Sequence, residues 1–468
     1  MDSKRQNQEI GRQLEILFTP GGEGEARGDQ SARAEASASS HRHESPTESV
    51  SVGGVMQEVL SAENLRVALG KVQANKGSPG IDGMTVDELP AHLKTHWPRI
   101  KEQLMQGRYK PEPVKRVEIP KPDGGVRKLG IPTVLDRFIQ QAVLQVLQKR
   151  WDKTFSESSF GFRPKRSAPQ AVEAAQRHIA SGRGWVVDID LEKFFDRVNH
   201  DRLMGRIMQR ENDKTLFKLI RAFLNAGVLE SGVLVLTEEG TPQGGPLSPL
   251  LSNLVLDELD KELEKRGHAF VRYADDCNIY VHSERAGKRV MEGVSRFITE
   301  RLKLKVNTSK SAVARPGKRK FLGFSFTSGR EPKRRIAPKA IVRFKEKVRE
   351  LTRRTKGRSL RQIKGPLNQY LRGWRGYFGF CQTPSVLGEL DGWIRRRLRS
   401  VAWKHWKRGK RRFAELAQRG VGKDLAAQTA GSCHGPWRIS KSPALSIALP
   451  NRLWKLLGIE CVLRTDKV

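Results

Sequence analysis

The stretch Arg272–Val281 reads RYADDCNIYV: a β-prone run, two adjacent aspartates where a tight turn belongs, and a second β-prone run. Strand, turn, strand is the plain reading, with Asp275 and Asp276 side by side at the bend. Two carboxylates that close raise each other's pKa and cost stability unless a cation sits between them. The rest of the chain is strongly cationic, with 87 Lys and Arg against 51 Asp and Glu and a formal net charge of +36. The aspartate pair therefore needs an explanation.

A second acidic group lies in WVVDIDLEKFFDRVNH, residues 185–200. On a strand the side chains alternate, so Asp188 and Asp190 share one face while Trp185, Val187, Ile189 and Leu191 take the other. The apolar face belongs to a core; the carboxylate face needs a partner. A strand carboxylate facing the hairpin pair makes a cage of hard oxygen ligands, which suits Mg2+ and an incoming triphosphate. Two such ions about 4 Å apart activate a 3′-hydroxyl and stabilise a leaving pyrophosphate. One aspartate alone reads as a turn former or a surface charge. Two clusters in strand context read as a metal site, with the choice between Asp188 and Asp190 open.

A chain of 468 residues has room for roughly two to four domains with real cores. Residues 1–60 hold ten Asp/Glu and six Lys/Arg, net −4, which leaves +40 for the remainder. A sequence pI near 10.4 points to a polyanionic partner, nucleic acid first and an anionic membrane surface second. The membrane reading is weak, because no apolar run reaches about 18 residues and no lipidation motif is present. Cys277, Cys381, Cys433 and Cys461 are far apart, with no C-x-x-C pair. That argues against a zinc knuckle or a disulfide framework and for a reducing compartment. With no signal-peptide core and an acidic start, a bacterial cytoplasm with direct access to nucleic acid is expected.

Residues 1–52 include GGEGEARGDQSARAEASASSHRHESPTESV, with almost no large apolar side chains, and read as a disordered extension. Order is expected near VMQEVLSAENLRVALGKV, with Ser61 capping a helix that carries Leu65, Ala68 and Leu69. Up to residue 328, helical stretches alternate with β-rich runs. VKRVEIP (114–120) and WVVDIDL (185–191) read as strands; the stretch from Asp136 reads as a helix with Phe138, Ala142, Val143, Val146 and Leu147 on one face. From 329 the character changes. There are 21 Lys/Arg against three Glu between Arg315 and Arg375, and ten more without an acid over 395–412. Ile341, Phe344, Val348 and Leu351 form one helical stripe; Leu367, Leu371, Trp374 and Phe378 form another after Gly365-Pro366. Helices apolar on one face and cationic on the other suit a grip on a phosphate backbone, where a single charge run would be a solvated surface.

Taken in order, these motifs resemble the reverse transcriptases encoded by bacterial group II introns, which are also maturases; the resemblance runs from roughly residue 60 to 460. NKGSPGIDGMTVDEL (75–89) is similar to the N-terminal extension motif of non-retroviral reverse transcriptases. IPKPDGGVRKLGIPTVLDRFIQQAV (119–143) and SSFGFRPKRSAPQAV (158–172) resemble the two fingers motifs. DIDLEKFFDRVNH resembles the motif of the first catalytic aspartate, GTPQGGPLSPLLSNLVLDELD (240–260) the nucleotide-pocket motif, and YADD the palm signature. LKVNTSKS (304–311) resembles the segment before the primer grip, KFLGFSF (320–326) that grip, and LNQYLRGWRGYFGF (367–380) the maturase thumb.

The resemblance implies an α+β fold, a right-hand polymerase with fingers and an antiparallel palm sheet over 53–328. An α-helical thumb or maturase domain over 329–420 would follow, then a small basic DNA-binding segment over 421–468. The family places its metal-binding aspartate six residues before the Asp of the F-D pair, so counting back from Asp196 gives Asp190, with Asp188 as a supporting residue. The implied ligands of two Mg2+ ions, with Mn2+ as an alternative, are Asp190, Asp275 and Asp276, plus the Leu191 carbonyl. Lys121 and Arg127, either side of the Asp123-Gly124-Gly125 turn, match the pair on the dNTP phosphates. Phe195 matches the bulky residue that rejects a 2′-hydroxyl. Gln243 matches the contact to the incoming sugar and base, beside Gly244 and Gly245, which permit close backbone approach. Lys310 lies near the triphosphate or is the general acid for pyrophosphate, or else is a solvated lysine. Arg372, Trp374, Arg375 and Tyr377 fall in the segment that grips RNA. The two arginines would neutralise adjacent phosphates, while the two aromatics suit packing better than base stacking.

The implied function is copying of an RNA template into DNA from a DNA primer, with dNTPs and two-metal nucleotidyl transfer. Joined to it is binding of the group II intron RNA, for splicing and for retromobility into target DNA; a homodimer is compatible with this. Longer relatives carry a Cys/His-rich nuclease domain after the thumb. No paired cysteines or H-N-H-like cluster occur here, so the short class lacking the endonuclease is expected, with no DNA cleavage by this polypeptide. Two rivals remain: a domesticated or defence-associated reverse transcriptase without an intron, and an RNA-binding splicing cofactor with a vestigial polymerase site. The aspartate triad and the Lys121/Arg127 pair speak against the second.

Overall fold

The computed structural model describes residues 54–120, 124–230, 233–235, 240, 244–355 and 357–463. The 1–52 extension, Lys121, Asp123 and Gln243 lie outside the described residues. Helices α1 (Val55–Val59), α2 (Ala62–Asn75) and α3 (Leu89–Met105) open the chain. The Ser61 hydroxyl accepts the Asn64 backbone N–H, and Leu65, Ala68 and Leu69 are buried, as the capping signal and the spacing require. Strand β1 (Val114–Pro120) pairs antiparallel with β2 (Val126–Ile131) and parallel with β4 (Val228–Glu230), which carries β5 (Val233–Val235) on its other edge. Helix α4 (Val134–Trp151) begins two residues before the expected Asp136. The reason is Thr133, whose Oγ1 accepts the Asp136 N–H at 3.1 Å and so caps the helix at that point.

The palm is a four-stranded antiparallel sheet in the order β6-β7-β3-β8, formed by β6 (Ala269–Tyr273), β7 (Asp276–Val281), β3 (Trp185–Ile189) and β8 (Ala312–Ala314). Both faces are covered. On one, Val186 packs with Ala171, Val172 and Ala175 of α5 (Ala168–Ala180). On the other, Val187 and Ile189 enter the main core. That core also takes Leu203 and Ile207 of α6 (His200–Met208), Leu216 and Ile220 of α7 (Lys214–Asn225), and Leu250 and Leu254 of α8 (Ser248–Lys265). Helix α9 (Glu284–Glu300) closes the layer; a Cβ on its Gly287 would stand 2.5 Å from Val313 Cγ1, so helix and sheet meet there without room for a side chain. Strand β3 stops at Ile189, and Leu191 continues only as an isolated bridge to Val306. The expected strand to 191 is thus two residues too long.

A hairpin of β9 (Phe324–Phe326) and β10 (Arg334–Ile336) leads into the helical half. Helices α10 (Pro338–Leu351), α11 (Leu360–Phe378) and α12 (Pro384–His405) bury Phe344 and Val348, Leu367 and Leu371, and Leu390, Ile394 and Leu398 against each other. Each such side chain contributes roughly 1.5–3 kcal/mol when fully buried. Helix α11 runs straight through Gly365-Pro366 instead of following it. A capping box between Ser359 and Gln362 starts it at Leu360, and Pro366 lies within it at an exposed position. Beyond residue 421, Ala426, Leu445, Leu449, Trp454 and Val462 pack into this same core.

Candidate active site

Strands β6 and β7 are joined by Ala274 and Asp275 alone, with Tyr273 paired to Asp276 across the turn. Ala274 takes φ +56°, the left-handed backbone that tight hairpins use at their first turn position. Beside β7 runs β3, with Asp188 opposite Asn278 and Ile189 opposite Cys277. One residue further along that register, Asp190 comes level with Asp276. Carboxylates about 85 positions apart in the sequence therefore share one corner of the palm sheet.

Their charges are felt mutually. Burial pushes the Asp276 carboxyl up to about 8, with Asp188, Asp275 and Asp190 adding to it. Burial also raises Asp275, with Asp190 adding and the Arg127 guanidinium opposing. The Arg127 guanidinium of β2 is thus near enough to be felt at Asp275. Arg127 itself is exposed, free to meet an anion.

Asp188 and Asp190 have different surroundings. Asp188 is buried and accepts two hydrogen bonds from Arg319, at 2.8 Å from Nε and 2.5 Å from Nη2. Asp190 is half-buried; its N–H donates to Ser311 Oγ at 3.0 Å, and its carbonyl accepts from the Asn307 N–H at 2.8 Å. The backbone is clamped while the carboxylate faces outward, with Lys310 Nζ 3.6 Å from Oδ2. Asp188 is thus held by Arg319, and the Asp190 carboxylate is the more open of the two. Ser311, Asn307 and Arg319 are supports that sequence reasoning did not single out. Arg319 sits in the run Lys318-Arg319-Lys320, where nothing local separates it from its neighbours.

Among the described residues no three His, Cys, Asp or Glu side chains converge closely enough to hold one ion. In donor chemistry, Asp190, Asp275 and Asp276 suit a hard divalent cation. All are carboxylates, and their repulsion is what a cation between them would relieve.

The nucleotide-pocket motif lies next to this corner. Phe195 is half-buried in the 3-10 turn Phe194–Asp196 and meets Phe194 edge-on at 5.3 Å. Gly240, at φ +98°, runs so close beneath that turn that a Cβ would be 3.0 Å from the Phe195 carbonyl oxygen. A Cβ on Gly244, at φ +136°, would lie 2.3 Å from the Gly130 carbonyl oxygen of β2, which only glycine avoids.

The thumb assignments divide. Trp374 is 8% exposed and lies 4.4 Å from the Phe344 ring and 4.7 Å from the Phe378 ring, so it is core and does not face RNA. Tyr377 is half-buried and donates its hydroxyl to the Leu322 carbonyl at 2.8 Å, which makes it a tie between thumb and palm. Arg375 donates to the Cys461 carbonyl and pairs with Glu460. Arg372, with 61% of its side chain exposed, is the one of the four most open to a phosphate.

The comparisons fit this geometry. Residues 119–326 match a family model described as reverse transcriptase (RNA-dependent DNA polymerase), so by class the chain is a reverse transcriptase. Residues 341–420 match the group II intron, maturase-specific domain. The chain is 32% identical over 298 residues to protein YkfC of Escherichia coli K12, covering 55% of this chain and 77% of YkfC. It is 39% identical over 196 residues to the group II intron-encoded protein LtrA of Lactococcus lactis subsp. cremoris. That match takes in 42% of this chain but only 32% of LtrA. The chain belongs to the family of group II intron-encoded reverse transcriptases, which join a polymerase to a maturase domain. Among solved structures, a chain of a partial Cas6-RT-Cas1–Cas2 complex matches at 25% identity and a TM-score of 0.35, over 53% of this chain and 43% of that one. Among the described residues no helix is long and apolar enough to cross a membrane.

Proposed function

We propose that the chain is an RNA-directed DNA polymerase that also binds a group II intron RNA to promote splicing and retromobility. The observation that carries this reading is the strand register that brings Asp190 level with Asp276 at one corner of the palm sheet, next to Asp275, with Lys310 3.6 Å from Asp190. Mg2+ held by Asp190, Asp275, Asp276 and the Leu191 carbonyl, with Mn2+ as an alternative, would supply activation of the primer 3′-hydroxyl and stabilisation of the leaving pyrophosphate. Arg127, with Lys121, binds the dNTP phosphates. Lys310 holds a positive charge next to Asp190, within reach of the triphosphate. Phe195 would reject a 2′-hydroxyl and Gln243 would contact the incoming sugar and base, and the close approach of Gly244 to the Gly130 carbonyl of the fingers strand supports a pocket there.

The thumb grips structured RNA through phosphates more than bases; Arg372 and the cationic faces of α10 to α12 support that reading. Intron RNA, an RNA template with its DNA primer, and target DNA are the partners, in the cytoplasm of a bacterium. Binding to RNA should weaken by roughly 10³–10⁵ between 50 and 200 mM salt if six to ten phosphates are contacted.

Primer extension on an RNA template tests the polymerase directly. Wild type extends and Asp275→Ala does not. Equal extension by both, or none by either, refutes the polymerase; RNA binding that survives without extension would leave a splicing cofactor in its place.

A further inference from the structure

Beneath the aspartate turn lies an arginine with no exposed surface at all. Arg272 and Asp260 both have 0% side-chain exposure, and each of the five guanidinium N–H donors has an acceptor. Nε and Nη2 donate to the Asp260 carboxylate at 2.7 and 2.5 Å. Nη1 donates to Asn253 Oδ1 at 3.0 Å and to the Ala274 carbonyl at 2.9 Å, and Nη2 also donates to Ser159 Oγ at 2.8 Å.

Three segments remote in sequence converge here. Asn253 and Asp260 lie two turns apart on one face of α8. Asn253 Nδ2 donates to the Gly161 carbonyl at 2.8 Å. The segment 158–161 runs alongside Arg272, with the Arg272 N–H on the Ser158 carbonyl and the Phe160 N–H on the Arg272 carbonyl, both at 2.9 Å. Gly161 then passes so close to the turn that a Cβ would stand 2.3 Å from the Ala274 nitrogen. The turn is held from below by a side chain and from the side by a backbone.

A buried ion pair is a poor way to add stability, since well-packed apolar residues of similar volume often do as well or better. What the guanidinium adds is direction: a planar fork that fixes four partners at once. We propose that Arg272 is a positioning residue, which through its bond to the Ala274 carbonyl sets Asp275 and Asp276 in the geometry that metal binding requires. Asp260, Asn253 and Ser159 orient the fork, and the fingers segment Ser158–Gly161 is thereby coupled to the palm aspartates. This inference rests on the reading of those aspartates as metal ligands.

The test is primer extension by the full chain, with Mg2+ and dNTP titrated separately. In Arg272→Met with Asp260→Leu the buried charges go together, so the fold survives and melting stays near wild type. The expected result is a fall in kcat of roughly 10²-fold, a higher Mg2+ concentration for half-maximal rate, a dNTP KM within about twofold of wild type, and partial recovery in Mn2+. A folded double variant with the wild-type rate and Mg2+ curve overturns the inference. If that variant does not fold, Asn253→Ala decides, because it keeps the ion pair and cuts the tie to Gly161. A Mg2+ curve shifted the same way supports the proposal, and an unchanged one overturns it. A wild type that extends nothing sinks the polymerase reading and this inference with it, an outcome distinct from an active wild type with indifferent variants.

Discussion

Arg319 donates twice to the Asp188 carboxylate, at 2.8 and 2.5 Å, and its Nη2 reaches on to the Lys310 carbonyl at 2.6 Å. One guanidinium thus joins the buried acid of β3 to the loop that carries the lysine beside Asp190. Arg319→Ala leaves the Asp188 carboxylate buried without that partner. The expected loss is about 1–3 kcal/mol in urea unfolding, less than a fully buried pair would lose because Arg319 keeps 29% of its side chain exposed. Slower primer extension should accompany it, since the Lys310 loop loses its anchor.

Two glycines give opposite outcomes on alanine substitution. Gly161→Ala places a methyl 2.3 Å from the Ala274 nitrogen, so backbone must move and the catalytic turn moves with it; extension should fall by at least about tenfold. Gly205 lies inside α6 with nothing within 4 Å of its would-be Cβ. Gly205→Ala should raise stability by about 0.5–1 kcal/mol and leave extension unchanged.

Asp136 predicts a pH dependence. It accepts hydrogen bonds from the Tyr109 hydroxyl at 2.8 Å and the Thr133 hydroxyl at 2.7 Å, yet burial dominates and raises its carboxyl from 3.8 to about 6. A folded pKa above the unfolded one means that the fold favours the protonated form. Its stabilising contribution is therefore full below 3.8 and is lost as pH rises through 6. Urea unfolding of wild type minus Asp136→Asn should show a difference that declines by about 2–3 kcal/mol across that window and is flat above it.

In the thumb, packing and binding separate. Trp374→Ala should cost about 3–5 kcal/mol, the price of emptying an aromatic site in a core, with RNA affinity falling only as the fold does. Arg372→Ala should leave unfolding unchanged and weaken RNA binding, with the slope of log affinity against log salt smaller by about one.

What could be read in advance was set by local rules. The β-prone run Val114–Pro120 and the apolar face of α4 came through because strand preference and helix period are properties of the chain itself. The adjacent aspartates drew notice because two neighbouring charges in a hairpin raise each other's pKa, and the register of β3 brings Asp190 level with Asp276 beside them. Arg272 stands in the same ten residues and gave no sign of its role. An arginine reads as surface, and only the approach of Asp260, Asn253 and Ser159 buries it. The start of α11 ahead of Pro366 was not legible from the stripe at Leu367, because a capping box at Ser359 sets it. The thumb aromatics sat in a basic segment that fits RNA contact, yet packing was the better reading, and the rings of Phe344 and Phe378 against Trp374 agree with it.

The tie at Tyr377 has a mechanical consequence. Phe324 meets the rings of Tyr377, Phe378 and Phe380, the Arg334 guanidinium stacks 3.8 Å over Phe380, and Gln176 of α5 bonds Gln382 at 2.8 Å. The foot of the thumb is riveted to the strand that resembles the primer grip. A displacement at the C-terminal end of α11 would therefore be passed to β9, because Phe324 and the rings of Tyr377 and Phe378 share one packed seam.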